Sequence, residues 1–232
     1  MSVVERLIDL NFVVDSSSSI ELKGEGNWNI SLQFIEDVIR QFTVGPNNVQ
    51  VALVRFSKDA TVEWDLTQYQ DSAGLIDAVQ NVPYTGVGTN LNDALHLTWS
   101  EVFAPGRGSR PNAEKVAIIL TDGEDNKPER GSAETIENAV RCKEDGIRLI
   151  AIGVTDRVNR DQLIEIASSA SDYIPVDDFN ALETIIDQLT EQIYLTTNIT
   201  TTTVTTTIET ATSTTSAHAL SIRLHSVCCI HI

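Results

Sequence analysis

A chain of 232 residues with 33 acidic against 16 basic side chains carries a formal net charge of −17. Such a surface repels nucleic-acid phosphate and anionic lipid, and no basic stripe overrides it. The length suits one domain of roughly 200 residues, which buries about 70% of the surface its unfolded chain exposes and needs no disulfide to fold; no apolar run reaches the ~18 residues of a membrane span.

The pattern alternates strand and helix. Ile8–Val14 is apolar enough in its second half to be a buried strand, and it runs into Asp15-Ser16-Ser17-Ser18-Ser19. A turn-rich stretch with Gly24 and Gly26 precedes a predicted helix from Trp28 to Phe42, which Gly45-Pro46 stops. Val49–Phe56 and Ala60–Leu66 are strands joined only by Ser57-Lys58-Asp59, hence an antiparallel hairpin. Helices follow over Ser72–Asn81 and, after the Gly86-Val87-Gly88 turn, over Asn90–Phe103. Lys115–Thr121 is a second fully buried strand. Then come a helix over Ala133–Glu144, a strand over Ile147–Val154, a helix over Arg160–Ala170, a short strand over Tyr173–Val176 and a helix over Asp178–Tyr194. The last of these puts Phe179, Leu182, Ile185, Ile186, Leu189 and Ile193 on one face.

This alternation predicts an α/β fold: a doubly wound, mostly parallel six-stranded sheet with one antiparallel edge strand and helices on both faces. We place that domain at residues 1–195. Beyond it, 13 of the 20 residues from Thr196 to Thr215 are threonine, so residues 196–232 are expected to form a disordered tail. In open sheets of this kind the functional crevice lies beyond the carboxyl ends of the strands, where strand order reverses. Asp15 follows the first strand and Asp122 the strand ending at Thr121.

Alternate side chains of an extended or tightly turned segment point the same way, so Asp15, Ser17 and Ser19 can converge on one point. Oxygen donors of low total charge suit a hard cation, Mg²⁺ before Mn²⁺ or Ca²⁺, and leave it short of negative charge. Gly86-Val87-Gly88-Thr89-Asn90 and Thr121-Asp122-Gly123-Glu124-Asp125 supply two further loops in the same region. Together the three loops resemble the metal-ion-dependent adhesion site of a von Willebrand factor type A domain, and the resemblance covers residues 6–195. It implies that Ser17, Ser19 and Thr89 are hydroxyl ligands to Mg²⁺, and that Asp15 and Asp122 act directly or through coordinated waters. It further implies a protein partner presenting a Glu or Asp carboxylate, in collagen or another matrix protein. Ser18 stands where the family commonly has glycine, a costly exchange if the position needs positive φ. Leu22 and Lys23 replace the second acidic pair of integrin β subunits, which argues for one metal.

Each residue also has a plainer reading. Serines after a strand can cap a helix, Thr89 can be an N-cap, and Asp122-Gly123 can be an ordinary turn. Glu124 and Asp125 read as solvated loop acids. An enzyme is not expected: there is no G-x-S-x-G elbow or P-loop, and no histidine stands beside a nucleophile. Asn198 and, less favourably placed, Asn29 match the N-glycosylation pattern. Cys142 reads as a buried helical thiol, and the adjacent Cys228 and Cys229 could cross-link chains. No secretory signal opens the sequence at Met1–Arg6. The family resemblance favours an extracellular setting with this chain as a piece of a longer one; a cytoplasmic scaffold is the alternative.

Overall fold

The computed structural model describes residues 6–123 and 131–195. Glu124, Asp125, the threonine-rich segment with Asn198, and Cys228 and Cys229 lie outside the described residues. In chain order the elements are β1 Ile8–Asp15, α1 Ser18–Leu22, α2 Asn27–Ile39, β2 Val49–Phe56, β3 Ala60–Trp64, α3 Ser72–Gln80 and α4 Leu91–Leu97, then β4 Glu114–Thr121, α5 Gly131–Glu144, β5 Ile147–Val154, α6 Arg160–Ile166, β6 Tyr173–Val176 and α7 Ile186–Leu195.

Six strands run in the order β3-β2-β1-β4-β5-β6. Every pairing is parallel except β2 with β3, the hairpin at the edge. From β1 the chain moves outward to β2 on one side and returns on the other side as β4, so strand order reverses between β1 and β4. Both are central, and β1 is buried along its whole length. Alternation along the strands divides the core. Leu10, Phe12 and Val14 of β1, Ile118 and Leu120 of β4 and Ile150 and Ile152 of β5 pack under α2 and the C-terminal helix. Val13, Ile119, Leu149 and Ala151 face the opposite layer, with Leu95, Cys142 and Leu163 from α4, α5 and α6. Each sheet face is thus covered by helices, which is why these strands read as continuous apolar runs.

Several predicted boundaries shift, each for a local reason. The predicted strand Ala60–Leu66 ends at Trp64 because the Asp65 carboxylate accepts from the Thr67 amide at 2.8 Å and hydroxyl at 2.7 Å, folding the chain into a turn. The predicted helix Trp28–Phe42 starts one residue earlier and closes at Ile39, with Gln41 and Phe42 bonded back to Val38 and Ile39 in a tightened last turn. The predicted helix Asn90–Phe103 is α from Leu91 to Leu97 and widens into a π-turn over Thr98–Val102. There the Thr98 hydroxyl donates to the Ala94 carbonyl and accepts from Asn11, a fully buried amide in the middle of the sheet. The predicted helix Arg160–Ala170 stops at Ile166, because Ala167 adopts an extended ψ of 150°. The predicted helix Asp178–Tyr194 begins as a 3₁₀ segment over Phe179–Ile185, with Asp178 capping Ala181, before it becomes α7. The expected apolar face survives that change of pitch, since Phe179, Leu182, Ile185, Leu189 and Ile193 are all buried.

At the pole where β1 starts, Arg110 locks the sheet. Its main-chain and side-chain N–H groups bond both oxygens of the fully buried Asp9, at 2.6 and 2.8 Å. Its guanidinium also donates to the carbonyls of Ile8, Pro46 and Asn48. At the same pole Arg6, just before β1, donates to the carbonyl of Tyr194 near the end of α7 at 2.6 Å.

Candidate metal centre

The opposite pole, beyond the carboxyl ends of β1 and β4, collects the predicted site residues. Asp15 ends β1 and is 1% exposed. Its Oδ1 accepts from the Ser17 amide at 2.8 Å, and its Oδ2 accepts from the Thr121 hydroxyl at 2.6 Å. The chain then turns at once into α1, a one-turn helix the sequence pattern did not predict. Ser17 is its N-cap residue by backbone position but makes no side-chain cap; its hydroxyl instead lies 2.9 Å from that of Ser19. Ser19 Oγ donates to Asp122 Oδ1 at 2.6 Å. The capping reading of the serines therefore fails. Ser18 is exposed and helical, and Thr155 is the sole non-glycine residue at positive φ among the described residues, so glycine is not required at position 18.

The second loop is tied to the first. Gly86 N donates to the Ser16 carbonyl at 2.8 Å, the Ser16 and Thr85 hydroxyls meet at 2.6 Å, and the Tyr84 hydroxyl donates to the Ser17 carbonyl at 3.0 Å. Gly86 and Gly88 make this bend possible with φ of 69° and 57°, in the left-handed region that other residues seldom adopt. Asn90, not Thr89, is the N-cap of α4, since its side chain accepts from the Asp93 amide. Thr89 is 4% exposed. A Cβ built on Gly123 would lie 3.6 Å from both Ser19 Oγ and Thr89 Oγ1, so all three loops border one small space.

The third loop contributes Asp122, whose side chain has no exposure at all. Lys23, at the end of α1, donates from Nζ to the Asp122 carbonyl at 2.6 Å and to Thr155 Oγ1 at 3.0 Å. The ammonium is also 2.7 Å from Asp122 Oδ2, a fully buried carboxylate oxygen that, among the described residues, the ion pair alone holds. Thr155 holds φ at 74° just after β5, a left-handed conformation that costs a β-branched residue about 1–2 kcal/mol. Residues held in such conformations cluster at functional sites.

Burial dominates the electrostatics. It lifts the Asp15 carboxyl from its ordinary 3.8 to about 7, and the Asp122 charge adds to the rise, against the hydrogen bonds from Thr121 and Ser17 that oppose it. An all-oxygen donor set with one fully buried carboxylate whose sole counter-charge among the described residues is Lys23, one carboxyl resisting ionisation and hydroxyls from the first two loops fits a hard divalent cation. No group of three or more His, Cys, Asp and Glu side chains capable of holding a metal occurs among the described residues.

The family model for the von Willebrand factor type A domain matches residues 9–188. The chain belongs to that family. As an A domain it is 35% identical over 187 residues to the collagen alpha-1(XII) chain of Notophthalmus viridescens, covering 80% of this chain and 19% of that one. It is 30% identical to matrilin-1 of Gallus gallus over 188 residues, covering 80% and 36%. Among solved structures, proximal thread matrix protein 1 from the mussel byssus, in a form with a zinc-occupied MIDAS motif, superposes with a TM-score of 0.75 at 30% identity, covering 82% of this chain and 46% of that one. The A domain thus spans only a fifth to a third of the length of these two curated relatives.

Sequence reasoning missed Lys23, Thr121, Tyr84 and Glu21. Glu21 Oε1 and Oε2 accept from the amides of Trp28 and Gly26, so α1 caps α2 with a carboxylate. Of the glycosylation candidates, Asn29 lies on the exposed side of α2, but its partner hydroxyl on Ser31 is buried and donates to the Asn27 carbonyl. Cys142 is buried as expected.

Proposed function

We propose that this A domain is a metal-dependent protein-binding module of the extracellular matrix, without catalytic activity. Asp15, Ser17, Ser19, Thr89 and Asp122 hold the cation, Mg²⁺ in the first instance and Mn²⁺ or Ca²⁺ as substitutes. The bound ion supplies a Lewis-acid position for an anionic oxygen. Asp15 orients the Ser17 turn through its amide, Thr121 fixes the Asp15 carboxylate, and Tyr84 pins the serine loop from above. The partner group is a Glu or Asp carboxylate of a protein, collagen or another matrix component. An acidic domain can accept an acidic ligand because the ion dominates the field at close range.

The observation that carries this reading is that Ser19 Oγ meets Ser17 Oγ at 2.9 Å and Asp122 Oδ1 at 2.6 Å while bordering, with Thr89 Oγ1, the space over Gly123. Further support comes from the rim. Leu22, Tyr84 and Val87 account for three of the five large apolar side chains exposed among the described residues; Leu22 ends α1, and Tyr84 and Val87 stand on or beside the second loop. A water-facing metal site alone has no use for them, whereas a protein partner does. Identity to a collagen chain and a matrilin favours a matrix partner. Among the described residues no helix is long and apolar enough to cross a membrane.

Solid-phase binding to collagens and basement-membrane extract, in Mg²⁺ and then in EDTA, tests the proposal. Binding should vanish in EDTA and in Asp15→Ala. Binding indifferent to both refutes it.

A further inference from the structure

Lys23 puts a positive charge where the proposed ion must act. The one-turn helix α1 delivers two groups to the same buried carboxylate: Ser19 Oγ to Asp122 Oδ1 at 2.6 Å, and Lys23 Nζ to within 2.7 Å of Oδ2. The ammonium is not a surface charge that happens to pass by. Its side chain is 15% exposed, and the Asp122 carbonyl and the Thr155 hydroxyl both accept from it, at 2.6 and 3.0 Å. Thr155 is itself constrained at φ 74°, with its amide bonded to the Val176 carbonyl at 2.7 Å, so the acceptor on the far side of the ammonium is held in place. Lys23 therefore has a constructed seat between the ends of β4 and β5.

We propose that Lys23 is a tethered cation that competes with the divalent ion for Asp122 and sets how much ion the site needs before it loads. The inference rests on the metal-site reading above and adds to it the residue that tunes affinity. Two cations on one buried carboxylate repel each other strongly at a few ångströms, so each weakens the other's hold on it. A lysine can yield without unfolding anything, because four flexible methylenes let the ammonium swing away. Beside it opens a cleft lined by Leu22, Thr155, Asp156, Arg157 and Asp177, where the exposed carboxylates of Asp156 and Asp177 offer the released ammonium another counter-charge. Removing the ammonium charge takes away both the competitor and the repulsion.

The test is calorimetric titration of MgCl₂ and MnCl₂ into the wild-type chain and Lys23→Met, together with thermal unfolding in EDTA and in excess Mg²⁺. The variant should bind Mg²⁺ at least about tenfold more tightly, the equivalent of one charge-assisted hydrogen bond. In EDTA the variant should melt below wild type, because Asp122 loses the counter-charge that Lys23 gives it, and in excess Mg²⁺ it should melt at or above it. A merely structural lysine gives no such reversal. Uptake by the wild type with affinity in Lys23→Met unchanged within twofold overturns the competition and leaves the metal site standing; uptake by neither protein overturns both. Uptake by the variant alone supports the competition in its strongest form. Should Lys23→Met not fold, brief acylation of wild-type lysines read by mass spectrometry decides the matter. Lys23 should react several-fold faster in Mg²⁺ than in EDTA, and equal rates reject the proposal.

Discussion

Asp15→Asn should make this domain more stable and useless for ion binding. The Asp15 carboxyl is buried and carries a pKa of about 7 in place of 3.8, with burial the main cause. Because the folded state holds the proton more tightly than the unfolded chain, stability falls as pH rises from about 4 to about 7, and stays low above that. At about 1.4 kcal/mol per pH unit, the ceiling on the loss is about 4 kcal/mol, and with local relaxation we expect about 2 kcal/mol at pH 8. Asparagine keeps the geometry: its carbonyl accepts from Ser17, and its amide donates to Thr121 Oγ1, which can turn toward the Gly123 carbonyl at 3.3 Å. Urea unfolding in EDTA should show Asp15→Asn above wild type at pH 8 and level with it below pH 4. Adding Mg²⁺ at a hundred times its dissociation constant should raise the wild type by about 2.7 kcal/mol and leave the variant unmoved. If Asp15→Asn is no more stable than wild type at pH 8 in EDTA, the assignment of a buried, reluctantly ionised carboxylate is wrong.

Gly123→Ala should fold normally, because its Cβ meets the Ser19 and Thr89 hydroxyls at an unstrained 3.6 Å. Yet it should weaken Mg²⁺ binding about 10- to 100-fold by crowding the space they border, as calorimetry would show. At the other pole, Arg110→Ala strips the buried Asp9 of its charge partner and should cost about 3–5 kcal/mol in urea unfolding, with no change in ion affinity for whatever protein remains folded. Burial pushes the Cys142 thiol up to about 12, so mass-spectrometric mapping after alkylation at pH 8 should find Cys142 unmodified until the domain unfolds.

The sheet was legible because its strands are buried on both faces and therefore written as unbroken apolar runs. Their mostly parallel direction followed from the alternation with helices, whereas their spatial order came only with the structure. That Asp15, Ser17, Ser19, Thr89 and Asp122 lie at one pole was legible from their places after strand ends and in the three loops that carry the family resemblance; that they hold an ion is the proposal made above. What escaped was set by contacts distant in sequence. Lys23 looked like a non-acidic substitute, since nothing local reveals that its ammonium reaches Asp122 and Thr155, over 90 residues away. The π-turn at Thr98 answers to Asn11, 87 positions earlier. α1 is too short for any periodicity to announce, and the 3₁₀ start of the last helix keeps the same apolar positions as an α-helix, so the pattern cannot tell them apart.

The bond from Arg6 to the Tyr194 carbonyl brings the entry and exit of the folded unit together at the base, one strand's length away from the loops that follow β1 and β4. A unit whose two ends meet at its foot can be spliced into a longer polypeptide like a bead on a cord. Neighbouring beads then attach below, and the loops that carry Asp15 and Asp122 project outward from each one.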